Sequence, residues 1–451
     1  MPKSEAVSVS PDRLKPAAAV RTPAAEVPLK ALSLRRNFSW ALVGNGVFAV
    51  CQWGVLAVLA KMLGATDVGR FALALAVTAP VISLVNLNLR SILATDTRRE
   101  SEFGHYVALR LAGTGLAFAI LPLLCWIAGY GVPMTALILI VGLGKVSDAL
   151  NDIAFGLVEL HERLDRSSRA RAFTGVVSIG AMTVALWLSG SLLWGAVGWS
   201  FAHIATLLAS PFWIGKDIFA EDNPGLPGGE IKASLLAMMP QWDIRHLTQL
   251  VRLGLPLGAV MLLGSLSINM PRYAIEEYLG SEELGIYSGM VYLLMIVQMV
   301  VLALGSAATP RLAKHYAAGD LASFWGVLGR MLALAATAGA VAVVVAAVAG
   351  PTLLTWLYTP EFAEYPDVLI WVAAVAGIDF IGTFLGVAMT SMRRFRPQLP
   401  LMLIFLTVTT VLCYWLVPSY GLMGAVVGSG GGMFCRLVGA AWVVWSGTHR
   451  T

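Results

Sequence analysis

Charged side chains are scarce in this chain of 451 residues. Asp, Glu, Lys and Arg make up 13% of it, whereas 58% of the residues are hydrophobic. A soluble domain usually carries about twice that charged fraction, and the mean hydropathy of +0.76 points in the same direction. The composition argues against an ordinary cytosolic enzyme, a secreted disulfide-rich domain and a nucleic-acid-binding domain. It predicts an all-α integral membrane protein instead.

Cysteines are also few, and none is placed like a metal ligand or a redox centre. Cys51, Cys125, Cys413 and Cys435 all lie inside apolar stretches, without a CxxC pair or a histidine at ligand spacing. We therefore interpret them as small buried hydrophobic residues. No metal site and no cofactor are predicted, and the lack of a Walker sequence argues against direct use of ATP.

Long apolar runs, separated by polar, glycine or proline breaks, fill the chain after residue 37. They predict about twelve transmembrane helices. The predicted spans are 38–62, 71–94, 106–129, 132–158, 173–189, 192–213, 253–275, 285–309, 327–349, 367–390, 398–417 and 421–446.

The spans divide the chain into segments of different character. Residues 1–37 contain five prolines and seven Lys/Arg without an apolar run, which predicts a disordered tail. The other predicted segments are a six-helix lobe at 38–213, an inter-lobe linker at 214–252, a second six-helix lobe at 253–446 and a short C-terminus at 447–451.

The basic residues predict the orientation. Of the 31 Lys and Arg, 23 lie in the tail, the C-terminus or the loops on one side of the predicted membrane, and the opposite loops contain only Arg70. The positive-inside rule places that basic side, and with it both termini, in the cytoplasm. The sequence pI near 9.0 then reflects contact with anionic membrane lipids, and no nucleic-acid partner is expected.

Two connections in the sequence are alike. Leu63-Gly64 and Gly69-Arg70-Phe71 follow the first span, and Leu279-Gly280 and Gly285-Ile286-Tyr287 follow the seventh, with both glycines at an offset of 216 residues. The last span of each half also opens alike, at Gly195-Ala196-Val197 and Gly424-Ala425-Val426. These matches predict two pseudo-symmetric six-helix lobes with the same orientation, an arrangement in which transporters bind substrate between the lobes. Chance similarity among apolar sequences is the alternative.

Several short motifs lie in order along residues 38–446. They are Ala60-Lys61-Met62-Leu63-Gly64, Gly69-Arg70-Phe71, Leu253-Gly254-Leu255-Pro256-Leu257, Leu279-Gly280, Leu284-Gly285-Ile286-Tyr287, Pro310-Arg311-Leu312-Ala313 and Gly421-Leu422-Met423-Gly424-Ala425. Together these motifs resemble bacterial polysaccharide flippases of the O-antigen and exopolysaccharide type. Those proteins share a superfamily with the multidrug and toxic compound extrusion transporters and the lipid II flippases.

The resemblance implies a non-enzymatic transporter of the bacterial inner membrane. Such a protein flips undecaprenyl-pyrophosphate-linked oligosaccharide for surface polysaccharides such as lipopolysaccharide or exopolysaccharide, by alternating access around a cationic cavity. Its partners would be this substrate, membrane lipids and polysaccharide polymerase or export machinery. A cation-coupled multidrug or metabolite antiporter of the same superfamily is the alternative. A membrane glycan polymerase or ligase is disfavoured, because the longest outer loop, 350–366, has no Lys, Arg or His.

Ionisable residues deep in a span are costly and are therefore functional candidates. Lys145 lies about 20 Å into the fourth span, and Asp148, Asp152 and Glu159 continue along the same helix face. This face predicts a polar wall for phosphate or for a coupling ion. The alternative is a self-neutralising structural pair of Lys145 with Asp148.

Arg436, deep in the twelfth span and beside a run of glycines, is a second candidate for binding pyrophosphate. Its alternative is to snorkel to the headgroups. Arg90 is expected to snorkel, and Arg272 to pair with Glu276 at i+4. The resemblance implies that basic residues on these helices line a cavity, and this adds Lys61, Arg90 and Arg272 to the candidates.

The remaining candidates are polar groups in mid-span. Asp379 has no obvious local cation and is a candidate proton or sodium site, with an interhelical hydrogen bond as the alternative. Asn45 and Gln52 share one face of the first span and are candidate sugar contacts, although helix–helix hydrogen bonds are their default explanation. His203 is expected to be a packing residue.

Overall fold

A computed structural model describes residues 34–96, 101–214, 218 and 239–449. The described part of the chain is helical apart from its connections and contains no β-strand. Most of the predicted tail (1–33) and most of the predicted linker (215–217 and 219–238) lie outside the described residues.

Eight helices form before the linker. Gly64 separates the first two, and its φ of 88° is allowed for glycine but strained for other residues. Their bounds are α1 (Leu34–Leu63), α2 (Ala65–Asn86), α3 (Leu89–Thr95), α4 (Phe103–Ile127), α5 (Val132–Leu160), α6 (Leu164–Ser189), α7 (Leu192–Leu208) and α8 (Ser210–Ile214).

The described residues 239–449 contain five further helices. They are α9 (Ile244–Tyr278), α10 (Ser281–Ala317), α11 (Leu321–Leu357), α12 (Pro366–Ser391) and α13 (Gln398–His449), with a single 3₁₀ turn at Pro360–Glu364. Gly421 has non-helical dihedral angles (φ 57°, ψ −139°) and breaks α13 into two helices.

The prediction of twelve spans is confirmed. Ten described helices are long and apolar enough to cross a membrane, α7 is a shorter apolar helix, and α13 supplies two spans because it breaks at Gly421. Several predicted boundaries were too narrow. Helix α6 begins at Leu164 rather than 173, and α9 at Ile244 rather than 253. The ends of these helices carry arginine and extend beyond the apolar run. A hydropathy window detects only the apolar run.

The outer connection at 350–366 is also shorter than predicted. Helix α11 continues to Leu357, and α12 begins at Pro366, so only Tyr358–Tyr365 connects them. Phe362 in this connection is fully buried and its ring stacks on that of Tyr358, with centroids 4.7 Å apart. The connection is therefore part of the packed core.

Helices within each half of the chain pack on one another. Helix α6 packs against α1 and α7 before the linker, and α12 packs against α11 and α13 after it. The two halves meet where α2 contacts α9 and α10 and where α1 contacts α10. The division into two lobes at 214–252 remains a prediction.

The repeated connections approach each other closely at the start of α2 and α10. A Cβ atom added to Gly69 would lie 1.6 Å from the backbone oxygen of Ser281, and one added to Gly285 would lie 1.9 Å from that of Ala65. Ala65 corresponds to Ser281, and Gly69 to Gly285, at the offset of 216 residues. A reciprocal contact of this kind is what a local twofold axis produces. It supports the sequence repeat with independent geometry.

Gly69→Ala is expected to destabilise the protein by about 1–3 kcal/mol, because a methyl group there meets backbone and cannot be accommodated by a side-chain rotation. Thermal unfolding of the purified protein in detergent measures the effect. Gly46→Ala on α1 is the matched control, since nothing lies within 4 Å of a Cβ at that position. Equal melting temperatures for Gly69→Ala and the wild-type protein would contradict the close approach of α2 and α10.

Candidate functional site

A cavity of about 440 Å³ lies among helices from both halves of the chain. Its walls come mainly from α2, α9, α10, α12 and the second part of α13, and Lys145 reaches it from α5. Most of the lining is apolar, including Ala72, Val291 and Phe380. Among the described residues, three charged side chains line it: Lys145, Arg272 and Asp379.

Arg272 is the cavity cation contributed by α9. Its Nη1 donates to Asn269 Oδ1 at 2.9 Å and to the backbone oxygen of Ile268 at 3.3 Å, and its guanidinium lies 5.8 Å from the ring centroid of Tyr292. The expected pair with Glu276 does not form, because that carboxylate accepts hydrogen bonds from Ser281 Oγ at 2.8 and 3.0 Å. In the described part of the chain, no carboxylate pairs with Arg272.

Asp379 and Arg436 form an ion pair at the edge of the same cavity. Arg436 Nη2 donates to Asp379 Oδ1 at 2.5 Å, joining α13 to α12. The sequence offered no cation near Asp379, since its partner lies 57 residues away. Arg436 therefore does not snorkel to the headgroups. Its guanidinium also lies 5.2 Å from the ring centroid of Phe405.

A second, smaller cavity of about 240 Å³ lies within the first half of the chain. Lys145, Asp148, Asn151, Asp152 and Arg171 line it, which places the predicted polar face of α5 on one wall. Lys145 lines both cavities. Its ammonium group is therefore the point at which the polar wall of the first half meets the central cavity.

Lys145 and Asp148 are close, but neither is fully neutralised by the other. Lys145 Nζ lies 3.9 Å from Asp148 Oδ2 and 5.4 Å from the ring centroid of Trp199. His203 is buried, and its Nδ1–H donates to the Trp199 backbone oxygen at 3.0 Å. Its Nε2 lies 3.6 Å from Asp148 Oδ2. The packing histidine expected at position 203 thus also faces the carboxylate of Asp148.

Arg90 does not snorkel. It donates to Glu159 at 2.5 and 3.0 Å and to Asp152 at 2.7 Å, so the guanidinium ties α3 to α5. The carboxylates lie 62 and 69 residues away in the chain, and only the tertiary packing brings them together. The fork of a guanidinium suits two carboxylates that lie two turns apart on the same face of one helix.

Two arginines of this cluster escaped the sequence analysis. Arg110 on α4 is fully buried, hydrogen-bonds Asn86 and lies 4.0 Å from Asp152. Arg171 lies 3.8 Å from the same carboxylate, although the sequence placed it in a basic loop. A signal was present in Arg110, because it is a charged residue inside the predicted span 106–129.

Lys61, Asn45 and Gln52 line neither cavity. Lys61 Nζ donates to the backbone oxygen of Trp356 at 2.9 Å, and this contact ties the end of α1 to the end of α11. Asn45 is half-buried, and the buried Gln52 Nε2 has no hydrogen-bond partner among the described residues. The structure thus brings together Lys145, Arg272 and Asp379 but not these three.

Three hydrogen bonds involve aromatic side chains of both halves of the chain. Trp53 Nε1 donates to the Tyr358 hydroxyl at 2.7 Å, which in turn donates to the backbone oxygen of Gly289 at 2.8 Å. Tyr273 donates to the backbone oxygen of Ala76 at 2.5 Å. These bonds join helices of the first half to helices of the second at the end where Gly69 and Gly285 also meet.

The charge arrangement suits an anionic ligand. Asp379 is paired with Arg436, so the charges that remain in the central cavity are those of Lys145 and Arg272. In a low-dielectric cavity, cationic donors form strong charge-assisted hydrogen bonds with phosphate oxygens. The apolar walls around them match an amphiphile better than a fully hydrated ion.

Comparisons with known proteins agree with this architecture. The profile of the family described as "Polysaccharide biosynthesis protein" matches residues 34–315. A capsular polysaccharide biosynthesis protein of Staphylococcus aureus, CapF, is 24% identical over 408 residues, which are 87% of this chain and 94% of that protein.

Solved structures of two transporters share the fold. The lipid II flippase MurJ in an inward closed conformation aligns with a TM-score of 0.67 at 11% identity, over 90% of this chain and 87% of that one. A MOP superfamily transporter from Pyrococcus furiosus aligns with a TM-score of 0.62 at 14% identity, over 92% and 94%. These likenesses show the fold of a multi-pass, all-α membrane protein.

Proposed function

The chain belongs to the family of polysaccharide biosynthesis proteins, and from this premise we propose that it is a flippase for undecaprenyl-pyrophosphate-linked oligosaccharide. In this proposal it moves the lipid-linked sugar across the bacterial cytoplasmic membrane during the synthesis of surface polysaccharide. The lipid tail stays in the bilayer, and the pyrophosphate enters the central cavity. Both termini and the basic helix ends face the cytoplasm.

One observation carries the proposal: among the described residues, two cations of the central cavity have no strong partner, and the one carboxylate that lines it is already paired. Arg272 has only amide and carbonyl partners, Lys145 lies 3.9 Å from its nearest carboxylate, and Asp379 is held by Arg436 at 2.5 Å. A pyrophosphate supplies the missing negative charge. Arg272 offers a planar fork and Lys145 a flexible point charge for it.

The position of the two cations suits a molecule that passes between the halves. Arg272 is on α9 and Lys145 on α5, so a ligand that contacts both bridges the two predicted lobes. The contacts of Trp53 with Tyr358 and of Gly69 with Gly285 hold the two halves of the chain together near the starts of α2 and α10. In an alternating-access cycle these contacts open when the loaded cavity turns to the other side.

A cation-coupled antiporter fits the charges less well. It needs a carboxylate that is free to bind the coupling ion or a cationic drug. Two of the three candidates are held by arginines, since Asp379 lies 2.5 Å from Arg436 and Asp152 lies 2.7 Å from Arg90. The third, Asp148, lines the smaller cavity of the first half rather than the central cavity. The pairing favours an anionic substrate over a cationic one.

Deletion of the gene tests the proposal in the cell. We expect lipid-linked oligosaccharide to accumulate on the cytoplasmic leaflet and surface polysaccharide to disappear, and we expect the wild-type gene to restore both. Leaflet-specific labelling of the oligosaccharide measures the first effect. Normal surface polysaccharide together with altered drug resistance would reject the flippase in favour of the antiporter.

A further inference from the structure

Three side chains with metal-ligand chemistry meet where the chain enters α9. His105 lies near the start of α4, Asp243 is the N-cap of α9, and His246 lies in its first turn. One ligand atom from each lies within 4.8 Å of the other two. The two imidazole rings stack with centroids 4.4 Å apart at an angle of 18°, and His246 Nδ1 lies 2.8 Å from Asp243 Oδ2.

Backbone contacts hold the two parts of this cluster together. Gln241 N donates to the backbone oxygen of Gly104 at 3.0 Å, and its side-chain amide donates to Glu102 Oε2 at 2.7 Å. A Cβ added to Gly104 would lie 2.7 Å from the Met239 backbone oxygen. The segment before α9 therefore packs directly against the start of α4.

A second observation points to a ligand. His105 is 6% exposed, and its Nδ1 is buried without a hydrogen-bond partner in the described part of the chain. A buried imidazole nitrogen without a partner costs free energy. Coordination to an ion, after one of the two stacked rings has rotated out of the stack, would remove that cost.

The donor set is that of a transition metal. Two imidazoles and one carboxylate bind Zn²⁺ at about 2.0–2.2 Å, with water commonly in the fourth position, whereas Mg²⁺ and Ca²⁺ prefer oxygen ligands. The ligand atoms must move somewhat closer to reach these bond lengths. Asp243 and His246 have side chains that are 45% and 40% exposed, so they are free to rotate towards the ion.

Asp243 is suited to this role. Its carboxylate accepts hydrogen bonds from the backbone N–H of Arg245 and from the ring Nδ1 of His246. Its Oδ1 accepts the bond from Arg245 N at 3.0 Å, which leaves Oδ2 for an ion.

We propose that His105, Asp243 and His246 form a binding site for a Zn²⁺-like transition-metal ion, with water as the fourth ligand. The ion replaces the proton shared by His246 and Asp243, and it joins the start of α4 to the start of α9. No ligand spacing in the sequence indicates this site, because His105 lies in the first predicted lobe whereas Asp243 and His246 lie in the predicted linker. The site does not depend on what the central cavity transports.

Metal titration tests the proposal. The full-length protein is purified with an affinity tag that contains no histidine, stripped of metal and titrated with Zn²⁺ by calorimetry and with Co²⁺ by visible absorption. We expect one ion per chain and the intense visible bands of four-coordinate Co²⁺. His105→Phe and His246→Phe keep an aromatic ring and are each expected to weaken Zn²⁺ binding by at least about tenfold to a hundredfold.

His315→Phe is the matched control. His315 lies 3.4 Å from Asp320 and is similarly exposed, but this pair has no third ligand within reach in the described structure. We expect its removal to leave Zn²⁺ affinity unchanged. Asp243→Asn keeps the N-cap and a folded surface, and it is expected to weaken binding even if a substitution at the buried His105 disturbs folding.

Two results would overturn the site. One is a wild-type protein that binds no Zn²⁺ up to millimolar concentration. The other is a His246→Phe/Asp243→Asn double variant that is folded and binds Zn²⁺ with wild-type affinity. Loss of transport by the gene product would not bear on either result, because both readouts measure bound metal.

Discussion

Replacement of Arg272 by alanine is expected to lower the rate of substrate flipping by about tenfold to a hundredfold. The guanidinium lines the central cavity and has no carboxylate partner among the described residues. A hydrogen bond to a charged group contributes about 1.5–3 kcal/mol, which corresponds to that change in rate. Lys145→Ala is expected to act in the same direction. Flipping is measured with the purified protein in liposomes.

Arg330→Ala provides the matched control for Arg272→Ala. Arg330 is also an arginine within a long helix, but it is exposed and does not line the cavity. We expect it to flip substrate at the wild-type rate. Arg272→Lys keeps the charge but not the fork and is expected to retain part of the activity. Wild-type rates in both Arg272→Ala and Lys145→Ala, at normal membrane abundance, would reject the two cations as substrate contacts.

Replacement of Arg436 by methionine is expected to have the second large effect, because it leaves Asp379 as an unpaired carboxylate. Removal of one partner of a buried pair costs about 3–5 kcal/mol. The side chains of Arg436 and Asp379 are 19% and 25% exposed, and solvent screening reduces the cost to about 2–3 kcal/mol. The free negative charge also repels an anionic ligand. We expect lower thermal stability and a loss of flipping.

The double variant Arg436→Met/Asp379→Leu separates the two causes. Replacement of both partners with apolar residues of similar size is often neutral for stability, so the melting temperature is expected to return towards that of the wild type. The rate of flipping is expected to recover with it, since Lys145 and Arg272 remain. A double variant that is as stable as the wild type but inactive would show that Asp379 itself is required, as a coupling site for protons or sodium requires.

The helices were predictable because burial in a bilayer demands long apolar runs. The twelve spans follow from those runs, and the offset of 216 residues matched Gly69 with Gly285, two residues that the structure places close together. The helix ends were less predictable. Arg166, Arg169 and Arg171 lie within α6, because charged side chains are compatible with a helix that emerges from the membrane, and hydropathy alone ends the span too early.

The partners of the buried charges could not be predicted from the sequence. Periodicity placed Lys145, Asp148 and Asp152 on one face of α5, and all three line one cavity. The ion pair of Asp379 with Arg436 and that of Arg90 with Glu159 join residues 57 and 69 positions apart. Such pairs depend on how the helices pack, and local spacing contains no information about them.

The most direct test of the central claim is a flipping assay with the purified protein in liposomes. The substrate is an undecaprenyl-pyrophosphate-linked oligosaccharide, and its appearance on the opposite leaflet is followed over time. We expect the wild-type protein to accelerate the movement, Arg330→Ala to match it, and Arg272→Ala to be slower by about tenfold to a hundredfold. No acceleration by the wild-type protein, or equal rates for wild type and Arg272→Ala, would contradict a cationic cavity that flips a pyrophosphate-linked lipid.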